Sequence, residues 1–388
     1  MKKIYLKPRS FEHTKVFPGC TGNPFDRVLY GLVKIDYIPT IIIFLLLAFY
    51  AILGSMPQIF AVKSVVTTWG ITFFSFLLLD WILLRFLQVL KLSFGPDKTV
   101  LLMLATLRLP FALLPSPINL VLQIIGTLLV VYAFYLEPFR IHVRHENFSP
   151  AKWMPGQSLR VLHFGDLHIE RATVREKKLL KMIHSLAPDL ILFSGDVLNL
   201  SYLEDPLSKA DAISFFKELN APLGVYGVMG SPAVDSQNLF ASLVENTLLN
   251  WLNNEVRCIP TPSGNVNLIG LTCSHNPDVD EKVLASLEIP EEGFNLLLYH
   301  SPDLAPNASR HPIDLQLSGH THAGQIRLPA LGALFTGSLY GRTFESGRYL
   351  VNDMTLSITR GLGMEGAAAP RVRFLASPEI TMWQIASS

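Results

Sequence analysis

Leu159-Arg160-Val161-Leu162-His163-Phe164-Gly165-Asp166-Leu167-His168 is the stretch that decides how this chain is read. A run with strand propensity meets a glycine, and the polar residues after it are of metal-ligand type. The arrangement recurs downstream. A strand predicted over 189–193 ends at Ser194-Gly195-Asp196, one over 294–299 at His300, and one over 313–317 at Ser318-Gly319-His320-Thr321-His322. Amphipathic periodicity predicts helices over 174–186, 210–219 and 238–252, and further strands fall over 223–229, 266–271, 349–352, 356–359 and 380–384. Alternating strands and helices followed by clustered strands predict a mixed α/β (α+β) domain whose sheets are covered by helices.

Ligands of α/β sheets bind at the carboxyl ends of strands, so these ends should converge two aspartates and four histidines on one cleft. Carboxylate and imidazole together suit borderline divalent cations such as Mn²⁺, Fe and Zn²⁺, whereas Mg²⁺ prefers oxygen alone. In Asp166-x-His168 and His320-x-His322 the paired residues stand two apart, a spacing that lets both reach one pocket where a strand turns into a loop. An aspartate has lone pairs enough to bridge two cations, and two cations about 4 Å apart can clamp a phosphate and acidify a water. His163 alternates to the other side of its strand and should pack beneath the cleft, and His184 should be a surface residue of its helix. Arg327, Arg342 and Arg360 could meet an anionic substrate, although an exposed arginine needs no such role.

Asp166-x-His168, Gly195-Asp196, His300 and Gly319-His320-x-His322 resemble the motif series of the calcineurin-like metallophosphoesterases, over about residues 159–384. The heptad Gly319-His320-Thr321-His322-Ala323-Gly324-Gln325 is its most specific part, and Arg360-Gly361-Leu362-Gly363 with Pro378-Glu379-Ile380-Thr381 resembles a membrane-anchored bacterial branch. The resemblance implies a four-layer αββα sandwich with two divalent metal ions at the strand ends. It places Asp166, His168, Asp196 and His322 on the first metal, and Asp196, His300 and His320 on the second, with Asp196 bridging. It implies hydrolysis of a phosphomonoester, phosphodiester or pyrophosphate bond by a metal-activated hydroxide attacking in line.

The sequence departs from the family at one block. Where the family has Gly-Asn-His followed by Asp or Glu, this chain has Gly230-Ser231-Pro232. The family's Asn ligates the second metal and its His contacts the phosphate and assists the leaving group; serine is a weak ligand, and proline has no donor. Loss of a positioned general acid costs about 10² to 10⁴ in rate. Three outcomes stay open: a slow or one-metal enzyme; recruitment of Asp235 or Asn238 as ligand and of His275 as acid; or a non-catalytic domain that binds metal and phosphate.

Outward from this domain the chain changes character. Of its 388 residues 49% are hydrophobic and only 16% charged, and the apolar ones crowd the first third. Transmembrane helices are predicted over 37–62, 65–90, 99–114 and 118–136, the last two joined at Pro115-Ser116-Pro117. Asp80 and Arg108, costly in lipid, are expected to form an interhelical ion pair or to snorkel at a helix end rather than to line a polar pathway. The positive-inside rule sets the lysine- and arginine-rich N-terminal tail inside, and four crossings return the rest of the chain to the cytoplasm; without the span over 99–114 the domain would lie outside. The expected organisation is a cytoplasmic tail over 1–34, a transmembrane region over 35–138 and a phosphoesterase domain over 139–388, at a plasma (inner) membrane. Thirty-two Lys and Arg against 31 Asp and Glu exclude a nucleic-acid binder by charge, and three scattered cysteines exclude a disulfide framework. The expected partners are the bilayer and a lipid-linked phosphoester substrate. The rival readings are a degenerate binding module, motivated by Gly230-Ser231-Pro232, and a channel or transporter with a regulatory domain, motivated by Asp80 and Arg108.

Overall fold

A computed structural model describes residues 1–9, 19–56, 63–151, 153–156 and 158–387, with the side chains of 63–67 left aside. The chain divides into two compact units, one of residues 1–25, 138–364 and 373–388, the other of residues 26–137 and 365–372.

The first unit is built on two sheets. A six-stranded sheet runs in the order His142–Phe148, Glu379–Ile385, Leu159–Phe164, Leu190–Phe193, Val225–Gly227, Leu249–Trp251. A seven-stranded sheet runs Lys2–Ile4, Gly347–Val351, Met354–Ile358, Leu315–Ser318, Phe294–Leu298, Gly264–Gly270, Glu255–Thr261. Alternation along each strand sorts the side chains into layers. Val161, Leu192 and Trp383 of one sheet pack on Leu268, Leu296 and Leu317 of the other. The opposite face of the first sheet, with Leu162, Phe164 and Phe193, is covered by helices Val174–Leu186 and Pro206–Lys217 through Leu179, Ile183 and Phe216. Ile269, Leu297 and Ile358 of the second sheet meet Leu284 of helix Pro277–Ala285. The result is the expected four-layer αββα sandwich.

Three local differences have plain causes. The predicted helix over 238–252 stops at Asn246, and Leu249–Trp251 is a strand. Thr247 Oγ1 donates to the Leu243 carbonyl at 2.7 Å and accepts from the Leu249 amide at 3.1 Å, offering the backbone bonds that end the helix. The edge strands His142–Phe148 and Glu255–Thr261 lack an apolar stripe and show no period in the sequence. Lys2–Ile4 was expected in a free tail; it pairs in parallel with Gly347–Val351, Lys2 opposite Tyr349.

The second unit packs helices Thr40–Ser55, Lys63–Val89, Asp97–Ala112 and Ile118–Val131. By length and composition two helices can cross a membrane, Thr68–Val89 and Ile118–Phe139, each of 22 residues. Pro24–Tyr37 and Thr40–Ser55 meet that test only as a pair bent by 101°. Within the predicted spans over 37–62 and 99–114 the described residues form helices Thr40–Ser55 and Asp97–Ala112, each of 16 residues and about 24 Å long against a hydrocarbon core of about 30 Å; positions 57–62 lie outside the described residues. Asp80 and Arg108 form the expected ion pair, bidentate at 2.6 and 2.8 Å and buried. Arg108 also donates to Gln123 and Thr127. The outward side chains, such as Leu45, Phe49, Ile82, Leu107 and Leu128, are apolar and exposed. A polar centre inside an apolar exterior inverts the usual soluble arrangement.

Candidate metal centre

Five strand ends, drawn from both sheets, carry the polar residues of the cleft. Asp166 and His168 follow Leu159–Phe164, Asp196 follows Leu190–Phe193, His275 follows Gly264–Gly270, His300 follows Phe294–Leu298, and His320 and His322 follow Leu315–Ser318. Loop-to-loop bonds fix their heights: the Asp166 amide donates to the Gly195 carbonyl at 2.8 Å, and the Gly319 amide to the His300 carbonyl at 2.8 Å. Six of these seven residues hold positive φ, from 41° at His168 to 70° at His320, with His300 the exception. Left-handed backbone at non-glycine residues costs free energy and concentrates at functional sites. Gly319 is required by close approach: a Cβ there would stand 2.5 Å from Asp166 Oδ2.

The side chains assemble into three overlapping groups, Asp166/His168/His322, Asp166/Asp196/His300 and His275/His300/His320. In each, one ligand atom per residue lies within 4.8 Å of the others, and all are buried. His168 and His322 face each other through Nε2 at 3.1 Å, and His168 Nε2 lies 3.5 Å from Asp196 Oδ2. His300 donates from Nδ1 to the Ser194 carbonyl at 2.8 Å, which aims Nε2 at Asp196 Oδ2, 3.3 Å away. His320 Nε2 is tied to the Gly337 carbonyl at 3.2 Å, which leaves Nδ1 for the cleft. Asp166 Oδ1 accepts from the His320 amide at 2.9 Å, whereas its Oδ2 is buried without a hydrogen-bond partner among the described residues.

The electrostatics are those of a site that wants a cation. Burial, and then the neighbouring imidazoles, lower His320 to about 3 and push His275 and His322 well below the usual histidine range. Burial likewise lowers His168 to about 4. These rings stand neutral, with lone pairs available. Burial raises Asp166 to about 7. Burial opposes ionisation of Asp196 too, but the charge and hydrogen bond of His300 outweigh it and hold this carboxyl well below its ordinary value. Burial would lower His300; Asp196 outweighs it and raises that imidazole to about 9. Positive charge is thus drawn to the place where two aspartates converge. Neutral imidazoles, an unpartnered carboxylate oxygen and an anionic aspartate form a donor set that fits a borderline divalent cation.

The calcineurin-like phosphoesterase family model matches residues 159–324, which hold all seven of these side chains. The uncharacterized metallophosphoesterase YkuE of Bacillus subtilis is 31% identical over 266 residues, 66% of this chain and 90% of that protein. This chain belongs to the calcineurin-like metallophosphoesterase family. YkoQ of the same bacterium, also an uncharacterized metallophosphoesterase, is 30% identical over 63% of this chain and 88% of its own length. The UDP-2,3-diacylglucosamine pyrophosphatase LpxG of Chlamydia trachomatis is 27% identical over 65% of this chain and 91% of its own. As a metallophosphoesterase the chain is a metal-dependent hydrolase of ester bonds.

Within this metallophosphoesterase the Gly230-Ser231-Pro232 turn is where the family pattern is altered. Pro232 is exposed, and Asn238 lies exposed on helix Gln237–Asn246, outside all three groups. Asp235, considered from sequence as a substitute, is in none of the three groups. Its two oxygens accept from the backbone amides of Asp196 at 2.7 Å, Val197 at 3.0 Å and Gly230 at 2.8 Å, so it holds the loops together. His275, considered as an acid, stands in the group with His300 and His320. Arg373, not singled out by the sequence, is buried with Nη2 3.4 Å from His322 Nδ1. An arginine in an irregular stretch carries no periodic signal that could have marked it. His163 lies beneath the cleft and pairs with Ser194 Oγ at 3.0 Å. Arg327 and Arg360 pair with Glu345 and Glu379.

Proposed function

We propose that this metallophosphoesterase hydrolyses the pyrophosphate bond of a lipid-linked substrate at the cytoplasmic face of the inner membrane, anchored by its helical unit over 26–137. In this reading Asp166, His168, Asp196 and His322 hold one divalent cation and Asp196, His300 and His320 a second, of Mn, Fe or Zn type. When bound, the cations supply Lewis acidity to the phosphoryl oxygens and acidify a water. The protein's own contribution is to hold these donors at fixed heights on four strand ends, to keep the imidazoles of His168, His320 and His322 neutral, and to bury the carboxylates so that their charge acts in a low dielectric.

The observation that carries the bond type is Gly230-Ser231-Pro232. At the place where the family presents a histidine to the leaving group, this chain presents an exposed proline. With no proton donor there, the leaving group must depart as an anion. A phosphate leaving from an anhydride does so readily, and an alkoxide does not. The apolar exterior of the helical unit supports a bilayer-borne substrate, whose effective concentration rises at a tethered enzyme. LpxG, a pyrophosphatase by name, is a relative matched over 91% of its own length.

The reading is tested with the full chain in lipid nanodiscs, assayed with Mn²⁺ or Zn²⁺ on a nucleoside diphosphate-linked lipid, on the matching alkyl phosphodiester and on bis-p-nitrophenyl phosphate. Anhydride and nitrophenyl ester should be cleaved and the alkyl ester spared by about 10² or more, with Asp196→Ala inactive on all. Equal rates on alkyl ester and anhydride would remove the bond-type argument. Inactivity on all three with metals loaded would favour the non-catalytic binding module.

A further inference from the structure

Of the five imidazoles of the cleft, that of His275 has no counterpart in the family's ligand series, and its surroundings say why it is there. We propose that His275 completes the second cation site in place of the missing asparagine, giving that site three imidazoles and one carboxylate. This rests on the metal-centre reading above and specifies its weaker half.

The geometry is that of a substitution made from a different strand. Ser231 Oγ stands at a convergence point, 3.1 Å from His275 Nε2, 3.1 Å from His300 Nε2 and 3.2 Å from Asp196 Oδ2. A hydroxyl has one proton, so it cannot donate to all three. The His275 ring lies 4.4 Å, centroid to centroid, from that of His320. Ser231 is only 2% exposed, and the room a carboxamide would need is taken by the imidazole on one side and by Gly19 on the other. A Cβ on Gly19 would stand 2.8 Å from His275 Nε2 and 3.0 Å from Ser231 Oγ. A small residue at 231 and a ring at 275 therefore fill one volume between them.

The ring is also held as a ligand should be. His275 has φ of 58°, like the other strand-end donors. Its neighbours are pinned: the Ser274 amide donates to Asp280 Oδ2 at 3.0 Å, and Asn276 caps helix Pro277–Ala285. Exchange of a carboxamide oxygen for an imidazole nitrogen moves the site toward Zn²⁺, Fe²⁺ and Co²⁺ and away from Mn²⁺ and Mg²⁺.

Metal binding, not turnover, decides the proposal. The detergent-solubilised full chain is stripped with chelator, then titrated with Zn²⁺ by calorimetry and with Co²⁺ by its visible absorption, and bound metal is counted by mass spectrometry. The native chain should take two equivalents. His275→Gly, which keeps the positive φ without strain, should take one, with the second weakened about 100-fold or more and restored by added imidazole. Asp166→Asn should lose the first equivalent and keep the imidazole-rich one. The double variant Ser231→Asn/His275→Gly should regain a second equivalent with its preference moved toward Mn²⁺; it serves as the deciding measurement if the single variant does not fold. Two unaltered Zn²⁺ equivalents in His275→Gly, or a double variant whose Mn²⁺-to-Zn²⁺ affinity ratio is no higher than the native chain's, would overturn the proposal and leave the metal centre standing. A native chain that binds no metal would overturn both.

Discussion

Asp303 shows how far from the cleft its order is maintained. Buried beneath the His300 loop, it accepts from Ser338 Oγ at 2.5 Å and from the Leu339 amide at 2.9 Å. Those residues follow Gly337, whose carbonyl orients His320. Burial raises Asp303 from its ordinary 3.8 to about 6. The folded chain therefore holds a proton between these values that the unfolded chain releases. Stability from this group is complete below about pH 4 and declines as pH rises to about 6. Asp303→Asn keeps an acceptor for Leu339 and a donor for Ser338. It should flatten the fall in melting temperature between pH 4 and 6, measured on the full chain in detergent. An unchanged slope would show that Asp303 is not the group responsible.

At the scale of elements, strand ends and helix faces differ in how openly they declare themselves. Strand Leu159–Phe164 and helix Val174–Leu186 have the bounds read from periodicity. The polar edge strand His142–Phe148 has no such signal; only its parallel partner Glu379–Ile385 makes it a strand. The helical unit turns on one bond set, the buried Asp80–Arg108 pair with Gln123 and Thr127. Breaking one side of a buried pair strands the other charge, so Arg108→Leu should destabilise this unit by about 3–5 kcal/mol. Asp80→Leu/Arg108→Leu should recover much of that loss, read as detergent-resistant melting. The same double variant should leave metal binding at the phosphoesterase unit unchanged. If it abolishes an ion flux instead, the channel reading returns.

For the whole molecule, Lys2–Ile4 matters more than its three residues suggest. It pairs with Gly347–Val351, so both strands of that pair stand on one side of any membrane. The crossings between them must then be even in number. This supports the reading that the catalytic unit shares the cytoplasmic side with the lysine-rich first residues. Cys258, exposed on strand Glu255–Thr261, is a native reporter. An impermeant maleimide should label it in inverted membrane vesicles and not in intact cells; labelling in intact cells would place the phosphoesterase outside.

Read by itself, the sequence determined the family, the sandwich and which residue types stand at the strand tips. Short apolar runs that end in ligand-type residues are local facts, written within ten residues of one another. It also determined that Gly230-Ser231-Pro232 departs from the pattern, though not what answers the departure. Only the tertiary structure brought His275, 44 positions from Ser231, against that hydroxyl, and turned Asp235 away toward three backbone amides. The reason is physical: a ligand sphere is filled by volume and direction, and both are set by packing between strands that the sequence keeps far apart.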